Sequence, residues 1–205
     1  RFGAKAVRTG SPVRAEFLRV PPKTHQPPFT LLIFGGSRGA LGINRAVVGA
    51  LDALLASRQS LRFIHQTGEQ DYQAVRTAYA RRGVKADVLP FITDMPVRLA
   101  EADLVICRSG ASTVAELTAA GRAAILIPFP HATDRHQLRN AQALERAGAA
   151  RVLEQSALSA ERLTAEVLDL FEHPDRLTEM AAAARAQGVP DAAARVVDLI
   201  ESVVR

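Results

Sequence analysis

What most constrains this chain is an alternation. Short, mostly aliphatic runs end in turns and give way to stretches with helical spacing. The pattern predicts strands at 29–34, 61–65, 86–89, 102–106, 123–127 and 150–153. It predicts helices at 43–55, 72–82, 96–100, 114–120, 135–147, 160–171, 175–186 and 191–204. Strands separated by helices pair in parallel through right-handed crossovers, which leaves helices on both faces of the sheet. The expected fold class is therefore α/β, a Rossmann-like parallel sheet with helices on both faces. A hydrophobic fraction of 48% with only 5% aromatic residues suits aliphatic helices packed on such a sheet.

Composition also excludes several functions. No run of eighteen apolar residues exists to span a membrane, and no secretory signal is expected ahead of the fold. Cys107 is the one cysteine, so disulfides and multi-cysteine metal sites within the chain are ruled out. At the end of an apolar run it reads as a small buried residue in a reducing cytoplasm. The formal net charge of +5 comes from arginines spread through Ala-rich helices, with only Lys5, Lys23 and Lys85 as lysines. Basic clusters interleaved with aromatics are absent, so no nucleic-acid partner is expected. The last helix is amphipathic through Val196, Val197, Ile200, Val203 and Val204, and its stripe fits this domain or a neighbour equally well. The chain opens at Arg1 and soon meets Thr9-Gly10-Ser11-Pro12 and Pro21-Pro22. Residues 1–27 therefore read as a linker leading out of an absent part, and 28–205 as the folded domain.

In an open parallel sheet, ligands bind at the carboxyl ends of the strands. The turn predicted at 108–113, with Glu116 one turn into the helix, suits an anion followed by a sugar hydroxyl. Gly35-Gly36-Ser37-Arg38-Gly39-Ala40 occupies the corresponding place after the first strand, where a phosphate meets backbone amides or where a tight turn simply needs glycine. It is neither a dinucleotide fingerprint nor a P-loop, and the second strand ends in His65-Gln66 instead of an acidic residue. NAD binding and ATP hydrolysis are thus disfavoured. Thr113-Val114-Ala115-Glu116 also matches a capping box, so Glu116 is assigned equally to helix capping and to ribose binding. His131, Asp134, His136 and Gln137 form a polar cluster suited to sugar hydroxyls or to a solvated helix start. With two histidines five residues apart and no cysteine or second carboxylate beside them, no metal is expected.

The ordered set Gly35-Gly36-Ser37, His65-Gln66-Thr67-Gly68, Phe91-Ile92-Thr93-Asp94-Met95, Arg108-Ser109-Gly110-Ala111 with Glu116, and Pro128-Phe129-Pro130-His131 through His136-Gln137 and Asn140-Ala141 resembles the C-terminal half of the MurG family. These are UDP-N-acetylglucosamine transferases that convert lipid I to lipid II in peptidoglycan synthesis. The resemblance implies the C-terminal, donor-binding domain of a two-domain GT-B glycosyltransferase, peripheral on the cytoplasmic face of the plasma membrane. It assigns Ile92 to uracil through its backbone, Glu116 to the ribose, and Ser37 with Ala111, Ser112 and Thr113 to the diphosphate. Arg38 stands where the family commonly has Gln, and a cation there still pairs with phosphate. Gln137, with His136 beside it, reads the N-acetylglucosamine hydroxyls, and Arg14 matches the arginine of the interdomain motif. Ser11 replaces the Asn usual before Pro12. The family's N-terminal domain binds the lipid-linked acceptor and supplies the proposed base, so no catalytic residue, metal or cofactor is expected in this chain. The alternatives are a stand-alone donor-binding subunit that needs a separate membrane-bound partner, and an epimerase-like enzyme of the same fold, for which no acid/base pair is evident.

Overall fold

The structure, a computed structural model, describes residues 6–36, 39–57 and 59–204. Six strands form one sheet in the order β3-β2-β1-β4-β5-β6, with every pairing parallel. They are β1 (Phe29–Phe34), β2 (Leu61–Gln66), β3 (Ala86–Leu89), β4 (Leu104–Cys107), β5 (Ala124–Leu126) and β6 (Ala150–Val152). The helices are α1 (Ala15–Leu18), α2 (Leu41–Ala56), α3 (Tyr72–Arg81), α4 (Met95–Glu101), α5 (Ala111–Ala120), α6 (His136–Arg146), α7 (Ala160–Glu172), α8 (Pro174–Gln187) and α9 (Ala192–Val204). The chain winds outward from β1 to β3, then crosses back to lay β4 beside β1. That reversal opens a crevice at the carboxyl ends of β1 and β4.

The strand period of two divides the core. Phe29, Leu31 and Ile33 face one cluster with α2 and α7; Leu32 and Phe34 face the other with α5 and α6. Phe29 stacks on Phe171 at 4.5 Å between ring centroids, locking α7 onto the first face.

Three features depart from the sequence expectation. First, α5 begins at Ala111 with Gly110 as its N-cap, where 114 was predicted. Second, β4 starts at Leu104, because Asp103 is turned inward as an acceptor. Its carboxylate takes the Thr30 N–H at 2.7 Å and the His25 imidazole at 2.9 Å, with the Lys23 ammonium at 3.7 Å. Third, residues 15–18 form the short helix α1, and the segment expected to be a linker is packed on the domain. Phe17 and Val20 enter the second core cluster. The buried Arg122 guanidinium donates to Leu99, Ala120, Gly121 and Pro21 carbonyls, and Arg185 donates to Val20 and Ala120. Burial pushes Arg122 down to about 10, with the Arg185 charge adding to this and Asp103 opposing it, so it remains a cation at neutral pH. Among the described residues, no helix is long and apolar enough to cross a membrane.

Candidate functional site

The crevice is built from loops that a rigid sheet holds in register, Phe34 opposite Cys107 on one side and Gln66 on the other. After β1 the chain turns through Gly36 at φ +90° and Gly39 at φ +74°. A Cβ on Gly39 would lie 2.0 Å from the Thr67 carbonyl oxygen, so only glycine fits there. Ser37 and Arg38, both assigned to the diphosphate above, lie outside the described residues.

After β4 the backbone runs through Arg108, Ser109 and Gly110 into α5. The first helical bond is Val114 N–H to the Gly110 carbonyl at 2.9 Å, and no side chain among the described residues caps the end. The N–H groups of Ala111, Ser112 and Thr113 therefore lack an intrahelical acceptor and carry the positive end of the helix dipole into the crevice. Thr113 is the third residue of α5, which removes the capping-box reading of Thr113 and Glu116. Glu116 is half-buried and accepts no hydrogen bond among the described residues. Burial raises its pKa, and the nearby Arg14 guanidinium opposes that shift. Arg14 is exposed just before α1, its guanidinium 5.1 Å from the Phe17 ring centroid. The structure thus brings Arg14, Glu116 and the α5 N-terminus to one region. Cys107, directly beneath, is buried and its thiol is pushed up by desolvation and by Glu116.

On the β3 side, Ile92 is 4% exposed and its N–H is already taken, at 2.9 Å, by the Gln66 Oε1. Only the Ile92 carbonyl is left for a ligand, which narrows the backbone contact expected from sequence.

On the β5 side, α6 starts after Asp134 and Arg135, both in the left-handed region at φ +51° and +52°. Such geometry costs about 1–3 kcal/mol per residue and collects at functional loops. The His136 Nδ1–H donates to the Thr133 carbonyl at 2.8 Å, leaving Nε2 exposed. Gln137 accepts the Phe129 N–H at its Oε1, 3.0 Å, and its main-chain carbonyl accepts the Ser109 hydroxyl at 2.8 Å. Its Nε2 donors remain for a ligand. Asn140 donates to the Ser109 carbonyl at 3.1 Å, so α6 and the β4–α5 loop are fastened together. A groove of about 270 Å³ runs along α5 from Ala111 past Asn140 to the segment around Ser11. Among the described residues, no group of three or more His, Cys, Asp or Glu is arranged to hold a metal ion.

Four supporting residues were not singled out as site residues from sequence. Arg108 donates to the Ile127 and Pro128 carbonyls and to Gln155 Oε1 at 2.6 Å, and lies 5.4 Å from the Phe129 ring centroid. Burial lowers its pKa. Asn44 donates to the Thr67 carbonyl and to Asp71, and it accepts from His65 Nε2 at 3.0 Å. That fixes the His65 tautomer, with Nδ1 accepting from the Tyr79 hydroxyl at 3.3 Å. Gln66 and Gln155 complete the set; for Arg108, Gln66 and Gln155 the available signal was a polar residue closing or following an apolar strand, and for Asn44 a polar residue on the apolar face of α2.

Strand order, switch-point crevice and the open N-terminus of α5 among the described residues together define a Rossmann-like α/β domain with a candidate ligand site at its carboxyl edge. The sequence matches the glycosyltransferase family 28 C-terminal domain over residues 30–196, and the chain belongs to that family. It is 48% identical over 98% of its length to the UDP-N-acetylglucosamine–N-acetylmuramyl-(pentapeptide) pyrophosphoryl-undecaprenol N-acetylglucosamine transferase of Sinorhizobium fredii, covering 56% of that protein. It is 47% identical over 93% of its length to the protein of the same name from Myxococcus xanthus, covering 50% of it. Among solved structures, it aligns with Acinetobacter baumannii MurG at TM-score 0.81 and 40% identity, over 89% of this chain and 54% of that one. A putative UDP-N-acetylglucosamine 2-epimerase from Listeria monocytogenes, at TM-score 0.66 and 20% identity over 96% of this chain and 53% of that one, shares the fold. The chain spans about half the length of the curated relatives it matches.

Proposed function

We propose that this chain is the donor-binding half of an inverting transferase that moves N-acetylglucosamine from UDP-N-acetylglucosamine to a lipid-linked acceptor, converting lipid I to lipid II. The observation that carries the reading is the N-terminus of α5 at the switch point, whose amides have no side-chain cap among the described residues, with a half-buried Glu116 one turn further on that accepts no hydrogen bond among them. On this reading Ile92 accepts the uracil N3–H at its carbonyl, and Glu116 accepts from the ribose hydroxyls. The Ala111, Ser112 and Thr113 amides hold the diphosphate together with Ser37 and Arg38, and Arg14 adds charge from the segment before α1. His136 and Gln137 read the sugar hydroxyls.

The acceptor hydroxyl attacks the anomeric carbon as the bond to the β-phosphate oxygen breaks, and the sugar inverts. Negative charge then grows on the departing UDP. Fixed amide donors at a helix end stabilise such charge without reorganising, and this term dominates in many enzymes. The acceptor site and the base that takes the hydroxyl proton belong to the other half of the longer protein, so this chain alone binds donor without completing transfer. Relatives nearly twice its length favour that reading over a stand-alone subunit. The whole protein then works on the cytoplasmic face of the plasma membrane in wall synthesis, cell division and cell shape. Titration calorimetry with UDP-N-acetylglucosamine and UDP tests the proposal: both ligands bind. A folded sample that binds no uridine nucleotide refutes it.

A further inference from the structure

The face of β2 that packs on α2 and α3 carries Phe63 and, one strand period further on, His65, which is 0% exposed. Asn44 from α2 and Tyr79 from α3 are buried with it. Their hydrogen bonds admit one arrangement. A carbonyl only accepts, so the Asn44 amide atom 2.9 Å from the Thr67 oxygen is Nδ2, which also reaches Asp71 Oδ2 at 2.7 Å. Asn44 Oδ1 then faces His65 Nε2 at 3.0 Å, and that nitrogen must carry the proton. His65 Nδ1 is left to accept from the Tyr79 hydroxyl at 3.3 Å. Burial holds His65 down to about 3, so the imidazole is neutral at neutral pH.

The far end of this chain of bonds is the glycine loop. Asn44 lies in the first turn of α2, the helix that the loop opens, and its own N–H donates to the Ala40 carbonyl at 2.9 Å. Its Nδ2 ties that turn to the Thr67 carbonyl, whose oxygen is the atom a Cβ on Gly39 would approach to 2.0 Å. The Gly39 backbone and the Thr67 carbonyl are thus in contact, and where the carbonyl stands decides where the loop can lie. Without a donor at His65, Asn44 Oδ1 becomes a buried acceptor with no partner among the described residues, and the amide gains a reason to turn its nitrogen away from Thr67.

We propose, on the basis of the donor-site reading above, that His65 is a positioning residue: its Nε2–H fixes the Asn44 amide and, through it, the Thr67 carbonyl and the glycine loop that takes the diphosphate. Gln and Asn separate the two ring nitrogens. In H65Q the amide nitrogen stands where Nε2 does and still donates to Asn44. In H65N the shorter amide stands where Nδ1 does and keeps only the Tyr79 bond. H65L keeps the side-chain bulk and neither bond.

The experiment titrates the 205-residue chain with UDP by calorimetry and with uridine, which has no phosphate, by NMR shift changes, for wild type, H65Q, H65N and H65L, beside thermal unfolding. H65Q should bind UDP within about threefold of wild type, and H65N and H65L about tenfold more weakly. Uridine affinity should change by less than about twofold throughout, because the base and ribose contacts do not run through the glycine loop. A residue that only supports the fold would lose UDP and uridine together, in the order of the unfolding temperatures. That pattern overturns the proposal, as does wild-type UDP affinity in H65N and H65L, or H65Q as weak as H65L. If uridine binds wild type too weakly to titrate, the contrast of H65Q with H65N and H65L decides. If neither H65N nor H65L folds by circular dichroism, His65 is a folding residue and the proposal is overturned. Wild type failing to bind UDP instead removes the donor-site reading, and this inference falls with it.

Discussion

Glu116→Ala separates the two roles that its sequence context allows. A capping-box glutamate supports its helix, and losing a helix cap costs about 0.5–2 kcal/mol of stability. In the structure α5 starts from Gly110, Thr113 stands inside the helix, and Glu116 holds no hydrogen bond among the described residues, so that cost is absent. The sign of its pKa shift points the same way. An acid whose folded pKa lies above its unfolded value is neutral to stability below the unfolded pKa and becomes a burden as pH rises through the folded one. Glu116 is shifted upward by burial, so at pH 7 its removal leaves stability unchanged or slightly raised.

Ligand binding should respond in the opposite direction. Two hydrogen bonds from ribose hydroxyls to a carboxylate contribute about 1.5–3 kcal/mol each before desolvation. Half-burial has already charged part of that desolvation to the free protein, so a net loss of about 2–3 kcal/mol, or about 30- to 150-fold in UDP affinity, is expected for Glu116→Ala. The assay is calorimetry with UDP and 2′-deoxy-UDP on both proteins, beside thermal unfolding. Wild type should discriminate against the deoxy ligand by about tenfold, and the variant should scarcely discriminate, because the partner of the missing hydroxyl has gone. A variant that binds UDP like wild type, or that loses about 1 kcal/mol of stability, refutes the reasoning.

Three further outcomes follow from the geometry. Gly39→Ala, which sets a methyl 2.0 Å from the Thr67 oxygen at φ +74°, should lower stability by about 2–4 kcal/mol in denaturant unfolding, while Gly83→Ala, at φ +66° with nothing within 4 Å, should cost about 1 kcal/mol. Asp103→Asn should cost about 2–4 kcal/mol and expose residues 20–27 to proteolysis, because the His25 and Lys23 contacts and the Thr30 bond converge on one carboxylate. His65 is held neutral down to about 3, whereas the unfolded chain takes up its proton near 6.5, so stability should be full above pH 6.5 and drain away as pH falls towards 3. In His65→Gln that portion of the acid sensitivity should disappear from a pH series of unfolding curves.

The sheet and most helices were legible because their signals are local: an apolar run for a strand buried on both faces, a 3.6 period for a covering helix. The start of α5 was misplaced for an equally local reason. Thr113-Val114-Ala115-Glu116 has the letters of a capping box, but what decides the helix start is distant. Arg108 is drawn to the carbonyls of Ile127 and Pro128, and Ser109 is pinned to Gln137, which leaves Gly110 as the first residue able to turn into the helix. The docking of residues 15–27 was hidden for the same cause, since Arg122 reaches Pro21 across 101 positions and nothing in either neighbourhood announces it. Gln66 was visible as a polar residue ending an apolar strand, but its two partners lie 30 and 26 residues away.

The residues that sequence reasoning found and those that it missed therefore differ in kind. Found were groups at the mouth of the crevice, because their chemistry is carried by the residue type itself: glycines at a turn, a carboxylate near a helix start, amides and imidazoles at the next loop. Missed were the groups that aim them. Gln66 removes the Ile92 N–H from the crevice, and Arg108 with Ser109 strips α5 of a side-chain cap. Each changes what the crevice offers: an acceptor alone at Ile92, and free amides at the start of α5 where capping and a free end had been equally expected. A site of this type reads its ligand through backbone atoms as much as through side chains. Buried polar residues that stand behind the crevice therefore decide which backbone atoms it presents, and substitutions at Glu116 should alter how tightly UDP is held.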